Sequence, residues 1–185
     1  AMKVEHLSLY PLAIEPSTPF EAAGLKNDSD LQAELFMSAH ETLSALGWDH
    51  YEIANYARPG FRCRHNLKYW NFEDYLGLGN SAASKIQNQV FVNERSLSGY
   101  LNRIERGVPA YDDTESLDER EDRRRRVIMQ LRLHEGVLDQ ELREVAPKDS
   151  ILRFEELGLL AAHGWRARLS PQGWLVAHQL MSAIA

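Results

Sequence analysis

The chain has 185 residues, of which 44% are hydrophobic and 26% are charged, and these proportions are typical of a globular protein with one or two domains. This composition therefore argues against a disordered, collagen-like or coiled-coil protein. The net charge of −6 argues against broad attraction to nucleic acid or anionic lipid. No apolar run approaches the roughly 18 residues of a membrane span and no signal-peptide pattern opens the sequence, which predicts a cytoplasmic location.

The single cysteine, Cys63, limits the chemistry that this chain supports alone. One thiol forms no internal disulfide, and a lone cysteine fits a reducing compartment. An iron–sulfur cluster takes several cysteine thiolates from its protein, and a Cys-rich structural zinc site takes at least two. The sequence therefore excludes both kinds of site within this chain by itself.

The first 57 residues predict a strand, a helix and a second strand. Residues 3–10 are typical of a mostly buried strand, and apolar residues spaced three and four apart over 31–46 predict a helix, capped within 28–30 and ended by Gly47. Residues 49–57 are typical of another strand. This order predicts a βαβ unit with two parallel strands. A single parallel pair is not stable alone, so we expect the edge at 3–10 to be exposed.

The middle of the chain carries many special residue types. Residues 58–84 contain few periodic runs and predict a loop, and loops commonly carry sites. A hairpin is predicted over 85–93, and a helix over 96–106 that Gly107 ends. Residues 107–116 are predicted to be a linker.

A second unit begins at Leu117, with helices, two short strands and a final helix opened by Ser170 and Pro171. This order resembles a winged helix. The four arginines at 123–126 have acidic neighbours at i,i+3 and i,i+4 spacings, so we expect them to pair within the protein. Residues 115–185 have a net charge of −1, which makes nucleic-acid binding a poor interpretation.

The densest set of reactive side chains lies in the run FRCRHNLKYW. Imidazole, thiol and phenol groups are all iron ligands, and adjacent aromatic rings offer a flat apolar surface for a planar macrocycle. A histidine taken by itself more often has a structural role, so on the residues alone that alternative stays open. The members of this set are Cys63, His65, Asn66, Tyr69 and Trp70.

The run GLGNSA at 77–82 permits close approach of the main chain to a ligand, because glycine has no side chain and tolerates tight turns. It lacks the third glycine of a dinucleotide fingerprint and the lysine of a P-loop. Tight packing of a loop on a sheet is the favoured interpretation of this run on its own.

Five runs, taken in order and spacing, resemble the C-terminal half of the radical-SAM haem chaperones, which are related to oxygen-independent coproporphyrinogen III oxidases. The resemblance extends from Lys3 onward. The H-N-x-x-Y-W pattern at 65–70 is similar to the one that separates these haem chaperones from true coproporphyrinogen dehydrogenases. The five runs are EPSTPF at 15–20, YEIANYARPG at 51–60, CRHNLKYW at 63–70, DYLGLGNSAASK at 74–85 and LSPQGW at 169–174.

The resemblance implies an α/β fold. Residues 3–110 would be the closing portion of a partial (β/α) barrel, and residues 115–185 a small helical, winged-helix-like domain. In that family the other half carries a C-x-x-x-C-x-x-C motif for a [4Fe–4S] cluster, which binds S-adenosylmethionine. This chain has no such motif. We therefore expect a fragment that is inactive in radical chemistry by itself.

The resemblance also implies a haem-handling function, in which haem is passed to an acceptor protein. His65 is the candidate ligand for the haem iron. Its neighbours in the family's haem-binding element are Cys63, Asn66, Tyr69 and Trp70. The glycine run is implied to lie near S-adenosylmethionine through Gly77, Gly79, Ala82 and Ser84.

Two alternatives remain. In the first, the chain is part of a coproporphyrinogen III dehydrogenase, which oxidatively decarboxylates porphyrinogen propionates. In the second, it is a winged-helix DNA-binding protein. We also expect the edge at 3–10 to recruit a second copy or the N-terminal half of the family, because exposed sheet edges pair readily.

Overall fold

The structure is a computed structural model that describes residues 3–112 and 114–184. Asp113, inside the predicted linker, lies outside the described residues, as do Ala1, Met2 and Ala185. The described residues form three small antiparallel sheets of three strands each, with helices packed around them. None of the helices in these two ranges is long and apolar enough to cross a membrane.

The first sheet has the strand order β1-β3-β2. Its strands are β1 (His6–Ser8), β2 (Asp49–Glu52) and β3 (Asn55–Ala57), and both pairings of β3 are antiparallel. The prediction of one strand over 49–57 was therefore wrong, because this run is a hairpin. The predicted parallel pairing was also wrong, since β3 lies between β1 and β2.

Glu52 explains the unexpected turn. Its buried carboxylate accepts hydrogen bonds from the backbone N–H of Ala54, at 3.1 Å, and from the side chain of Asn55. These bonds close the chain on itself within three residues, and the register of the pair shifts between His50 and Glu52. A side chain thus forms this turn without the glycine or asparagine that marks most tight hairpins.

The segment between β1 and β2 holds α1 (Pro19–Ala22) and α2 (Ser29–Ala45). The prediction of α2 is confirmed, because Asp28 caps it by accepting from the N–H groups of Asp30 and Leu31, and Gly47 follows it with φ +75°. Its apolar stripe is not buried, however: Leu35 is 60% exposed. Only part of the helix, around Phe36, packs on the core.

The middle of the chain has more regular structure than predicted. The predicted hairpin is confirmed as β4 (Ala83–Ile86) and β5 (Gln89–Val92), and the predicted helix as α4 (Leu97–Glu105), which Ser96 caps. The loop prediction over 58–84 was wrong at α3 (Arg64–Trp70). The linker prediction was wrong at β6 (Thr114–Ser116), which pairs with β5 and completes the second sheet.

The C-terminal unit contains the main hydrophobic core. The third sheet of the molecule lies in this unit, and helices cover it. Its strands follow the order β7 (Val137–Leu138), β9 (Arg166–Leu169) and β8 (Leu160–His163). The core runs from Val127 to Ile184 and includes Leu131, Leu142 and Trp174. The elements are α5 (Glu119–Gln130), β7 (Val137–Leu138), α6 (Asp139–Val145), α7 (Lys148–Glu156), β8 (Leu160–His163), β9 (Arg166–Leu169), α8 (Pro171–Leu175) and α9 (Ala177–Ile184).

The four consecutive arginines of α5 pair with carboxylates, as predicted. Arg124 and Arg125 share Glu121 within the helix, at 2.8 and 2.7 Å. Arg123 reaches Glu144 and Arg126 reaches Glu141, both on α6. These charges therefore fasten α5 to its neighbours, and they are not a free basic face.

Candidate functional site

The helix α3 carries the reactive run and is held at its start by ion pairs. Arg62 donates to Asp49 at 2.6 Å and to Glu135 at 2.5 Å, which ties the segment before α3 to β2 and to the C-terminal unit. Cys63 occupies the N-cap position but makes no side-chain capping bond. The short helix is thus fixed by its flanking contacts and not by a strong cap.

The five predicted site residues do not share one face of α3. Successive residues of an α-helix are about 100° apart, which places His65 and Tyr69 about 40° apart and Trp70 about 140° from His65. The contacts agree with this geometry. Tyr69 Oη lies 3.0 Å from His65 Nε2, their rings meet edge to face at 4.9 Å, and Tyr75 packs on Tyr69 at 4.6 Å. An exposed imidazole supported by two tyrosines therefore forms the outer face.

Asn66 and the main chain of Cys63 face inward, toward Tyr51. The phenol of Tyr51 is fully buried and lies 2.8 Å from His6 Nε2. Burial raises the pKa of Tyr51 to about 12, and hydrogen bonds with the Cys63 main chain and the Asn66 side chain oppose that rise. Asn66 and the start of α3 thus lie beside the first sheet.

Trp70 lies on the inner side of α3, against the C-terminal unit. The guanidinium of Arg132 is 4.3 Å from the centre of the Trp70 ring. The indole Nε1 is buried, and it has no hydrogen-bond partner within residues 3–112 and 114–184. The sequence pattern therefore combined two separate places: the His65–Tyr69 face and the Trp70–Arg132 contact.

The glycine run is built into the second sheet. Gly77 N–H donates to the hydroxyl of Ser84 at 3.0 Å, and the amide of Asn93 donates to the carbonyl oxygens of Gly77 and Gly79. A Cβ at Gly77 would collide with the carbonyl oxygen of Ala83. The packing interpretation of this run is thus confirmed, and Ala82 lies beside the same hairpin. The proximity of these residues to S-adenosylmethionine stays a prediction.

Two histidines, His50 buried and His40 half-buried, join the first sheet to the C-terminal unit, and no sequence pattern predicted this pair. His50 Nδ1 lies 3.0 Å from His40 Nδ1, and His50 Nε2 lies 3.0 Å from the carbonyl oxygen of Ile53. The His50 ring stacks on Tyr56 and meets Trp174 edge to face at 4.3 Å. Burial lowers the pKa of His50 to about 4. These groups come from distant segments, so only the fold assembles them.

The described residues offer no metal centre made by the protein alone. Across 3–112 and 114–184, no group of three or more His, Cys, Asp or Glu is placed to hold a metal ion. A cleft of about 460 Å³ lies between the β4–β5 hairpin and α5, lined in part by Lys85, Asp122 and Arg126. None of the predicted site residues lines it.

Comparison with known proteins finds relatives of this chain. A family model described as HemN C-terminal domain matches residues 117–176. The heme chaperone HemW of Bacillus subtilis is 30% identical over 99% of this chain and 52% of its own length. That of Escherichia coli is 41% identical over 103 residues, which are 55% of this chain and 26% of the relative. The chain is thus similar in sequence to the C-terminal part of heme chaperone HemW.

A solved structure supports the fold. The coproporphyrinogen III oxidase HemN of Escherichia coli, described as a radical SAM enzyme, matches 97% of this chain with a TM-score of 0.73. At 16% identity, this match shows a shared fold of mixed helix and sheet. The chain spans about half the length of this structure and of the HemW relatives that match it from end to end.

Proposed function

We propose that this chain is the haem-holding part of a haem chaperone, and that His65 supplies a ligand to the haem iron. The family relation to heme chaperone HemW supports the ligand class. The observation that carries the assignment is the exposed His65 imidazole on α3, beside Tyr69 and Tyr75.

The chemistry of haem suits a site with one good donor. The porphyrin fills four positions around its iron, so the protein has only to supply axial ligands and a surface for the ring. His65 offers the imidazole: the hydroxyl of Tyr69, 3.0 Å from Nε2, orients the ring, and Nδ1 would be the nitrogen that binds the iron. The rings of Tyr69 and Tyr75 give an apolar, polarisable surface next to the imidazole.

The helix geometry divides the predicted haem-binding residues by role. His65 and Tyr69 would contact the iron and the ring, whereas Asn66 and the Cys63 main chain lie on the side of α3 near Tyr51. Delivery to a haem-acceptor protein remains part of the proposal, and so does the cytoplasmic location. Sequence similarity favours the chaperone over the dehydrogenase, and the paired arginines of α5 count against DNA binding.

The same proposal includes the architecture of the parent protein. Residues 3–110 would close a partial barrel whose other half holds the [4Fe–4S] cluster and S-adenosylmethionine, with the glycine run near the latter. Residues 115–185 would form a winged-helix-like domain, for which the element order from α5 to β9 and the β8–β9 hairpin are the support. The lone cysteine leaves the cluster to that other half.

Haemin titration tests the proposed function. Followed by the Soret band, haemin is expected to bind the 185-residue chain with 1:1 stoichiometry. His65→Ala should weaken binding at least about tenfold, since a lost axial ligand costs more than about 1.4 kcal/mol. His163→Ala, at an exposed histidine of β8, is the matched control and should bind as the wild type does. Equal affinities for all three proteins would remove His65 from the site.

The edge of the first sheet is the proposed surface for self-association. β1 pairs only with β3 among the described residues, so its other edge offers unpaired backbone groups. We expect sedimentation at high concentration to show a dimer that Ser8→Pro weakens, because the N–H of Ser8 faces the open edge of β1 and proline removes that donor. A strictly monomeric wild-type chain would contradict this expectation.

A further inference from the structure

Arg132 differs from every other half-buried arginine in the described residues. The others have a carboxylate, a carbonyl oxygen or a histidine nitrogen within reach. Among residues 3–112 and 114–184, Arg132 has no such hydrogen bond or ion pair, and its Nε is buried without a partner. A guanidinium has five N–H donors and keeps its charge, so unfilled donors at a half-buried position are costly.

The surroundings of Arg132 fix its orientation without filling its donors. Its guanidinium lies 4.3 Å from the ring of Trp70, which holds the planar group against α3. The isolated bridge between Glu52 and Leu133 holds the neighbouring main chain against the first sheet. The fork of the guanidinium is therefore preorganised at the contact between α3 and the C-terminal unit.

Glu52 is the carboxylate whose charge acts most strongly on Arg132, and it does not fill the donors of the guanidinium. Its carboxyl is fully buried, and one oxygen is already bonded to Ala54 and Asn55. The other oxygen has no partner among the described residues, and no Glu52–Arg132 pair lies within 4.0 Å. Burial lowers the pKa of Arg132 and raises the pKa of Glu52, each against the attraction of the other. The outer nitrogens of Arg132 thus remain available for a further anion.

We propose that Arg132, stacked on Trp70, binds a carboxylate of the ligand, and this inference rests on the proposed function, in which that carboxylate is a haem propionate. Guanidinium and carboxylate pair through two parallel N–H···O bonds, which match the fork of Arg132. Haem carries its iron at the centre and its carboxylates at one edge. His65 lies on α3, and Arg132 follows α5 and contacts α3 through Trp70, so one haem that reached both would meet the iron ligand at its centre and the carboxylate ligand at its edge.

The test compares haemin with haemin dimethyl ester, whose propionates carry no charge, on the 185-residue chain. The wild type should bind haemin about tenfold more tightly than the diester. Arg132→Gln should weaken haemin binding about tenfold and leave diester binding unchanged. Arg132→Lys, which keeps the charge but loses the fork, should show a reduced preference. Arg64→Gln, at an exposed arginine of α3, is the matched control and should keep the full preference.

The outcomes separate this inference from the proposed function. A wild-type chain that binds neither ligand would overturn both. A wild type that binds both ligands, with the full preference retained in Arg132→Gln, would overturn the carboxylate site alone. Equal weakening of both ligands in Arg132→Gln would also overturn it, because that result indicates a structural role. If Arg132→Gln does not fold, by circular dichroism, Arg132→Lys decides: an undiminished preference overturns the site.

Discussion

Replacing Trp174 by alanine is expected to lower the free energy of unfolding by about 3–5 kcal/mol. The indole is 4% exposed and belongs to the core of the C-terminal unit. Its ring also meets the rings of His40 and His50, so its loss opens a cavity where α2 and the first sheet join that core. Urea denaturation followed by circular dichroism measures the change.

Trp165 provides the matched control for this experiment. It is 73% exposed at the turn between β8 and β9, and Trp165→Ala removes the same atoms from the surface. The expected change there is within about 0.5 kcal/mol. If the two alanine variants lost similar amounts of stability, Trp174 would not hold the two parts of the molecule together.

Lowering the pH from 6.5 to 4 is expected to remove about 3 kcal/mol of stability through His50 alone. Burial holds its pKa at about 4 in the folded protein, against 6.5 as the ordinary value. As the pH falls below 6.5, His50 is protonated in the unfolded chain but stays neutral in the folded chain, so unfolding becomes more favourable. The contribution is complete above pH 6.5 and is lost by pH 4. The pKa values of His40 and His134 are lowered by burial too, and act in the same direction.

The variant His50→Phe isolates this effect. Phenylalanine retains the stack on Tyr56 but has no proton to gain, so the difference in stability between pH 7 and pH 4 should shrink by about 3 kcal/mol. His163→Ala, at an exposed histidine, should show the wild-type pH dependence. The same loss with acid in His50→Phe as in the wild type would place the sensitive group elsewhere, for example at His40 or His134.

Local signals in the sequence predicted the elements whose ends have standard chemistry. Asp28 and Gly47 mark the two ends of α2, Ser96 and Gly107 mark the two ends of α4, and Ser170 caps α8. Each is a cap or a left-handed glycine, and such signals act within a few residues. They do not determine what packs on a helix. The apolar stripe of α2 therefore did not predict that Leu35 is exposed.

Elements that depend on distant or unusual contacts could not be predicted in the same way. The turn at Glu52 uses a buried carboxylate in place of glycine, so 49–57 looked like one strand. The start of α3 depends on Arg62 pairing with Glu135, more than seventy residues away in the chain. The motif FRCRHNLKYW marks α3 as the candidate site, but only the helical geometry separates His65 from Trp70.

The sequence also did not predict that Arg132 lies beside the candidate site. Arg132 follows the arginine run of α5, where it looks like one more surface charge. The environment of its guanidinium is set by Trp70 and Glu52, which the fold brings to Arg132 from two other segments. A pattern of sequence letters reports which groups are present, while packing decides which of them are left without a partner.

Electron paramagnetic resonance of the ferric haem complex tests most directly whether His65 binds the iron. The wild-type chain and His163→Ala are expected to give the same spectrum, with the ligand field of an axial imidazole. His65→Ala should lose that signal at haemin concentrations where the protein remains saturated. A His65→Ala complex with the wild-type spectrum would contradict the assignment, because the iron would then be held by another residue.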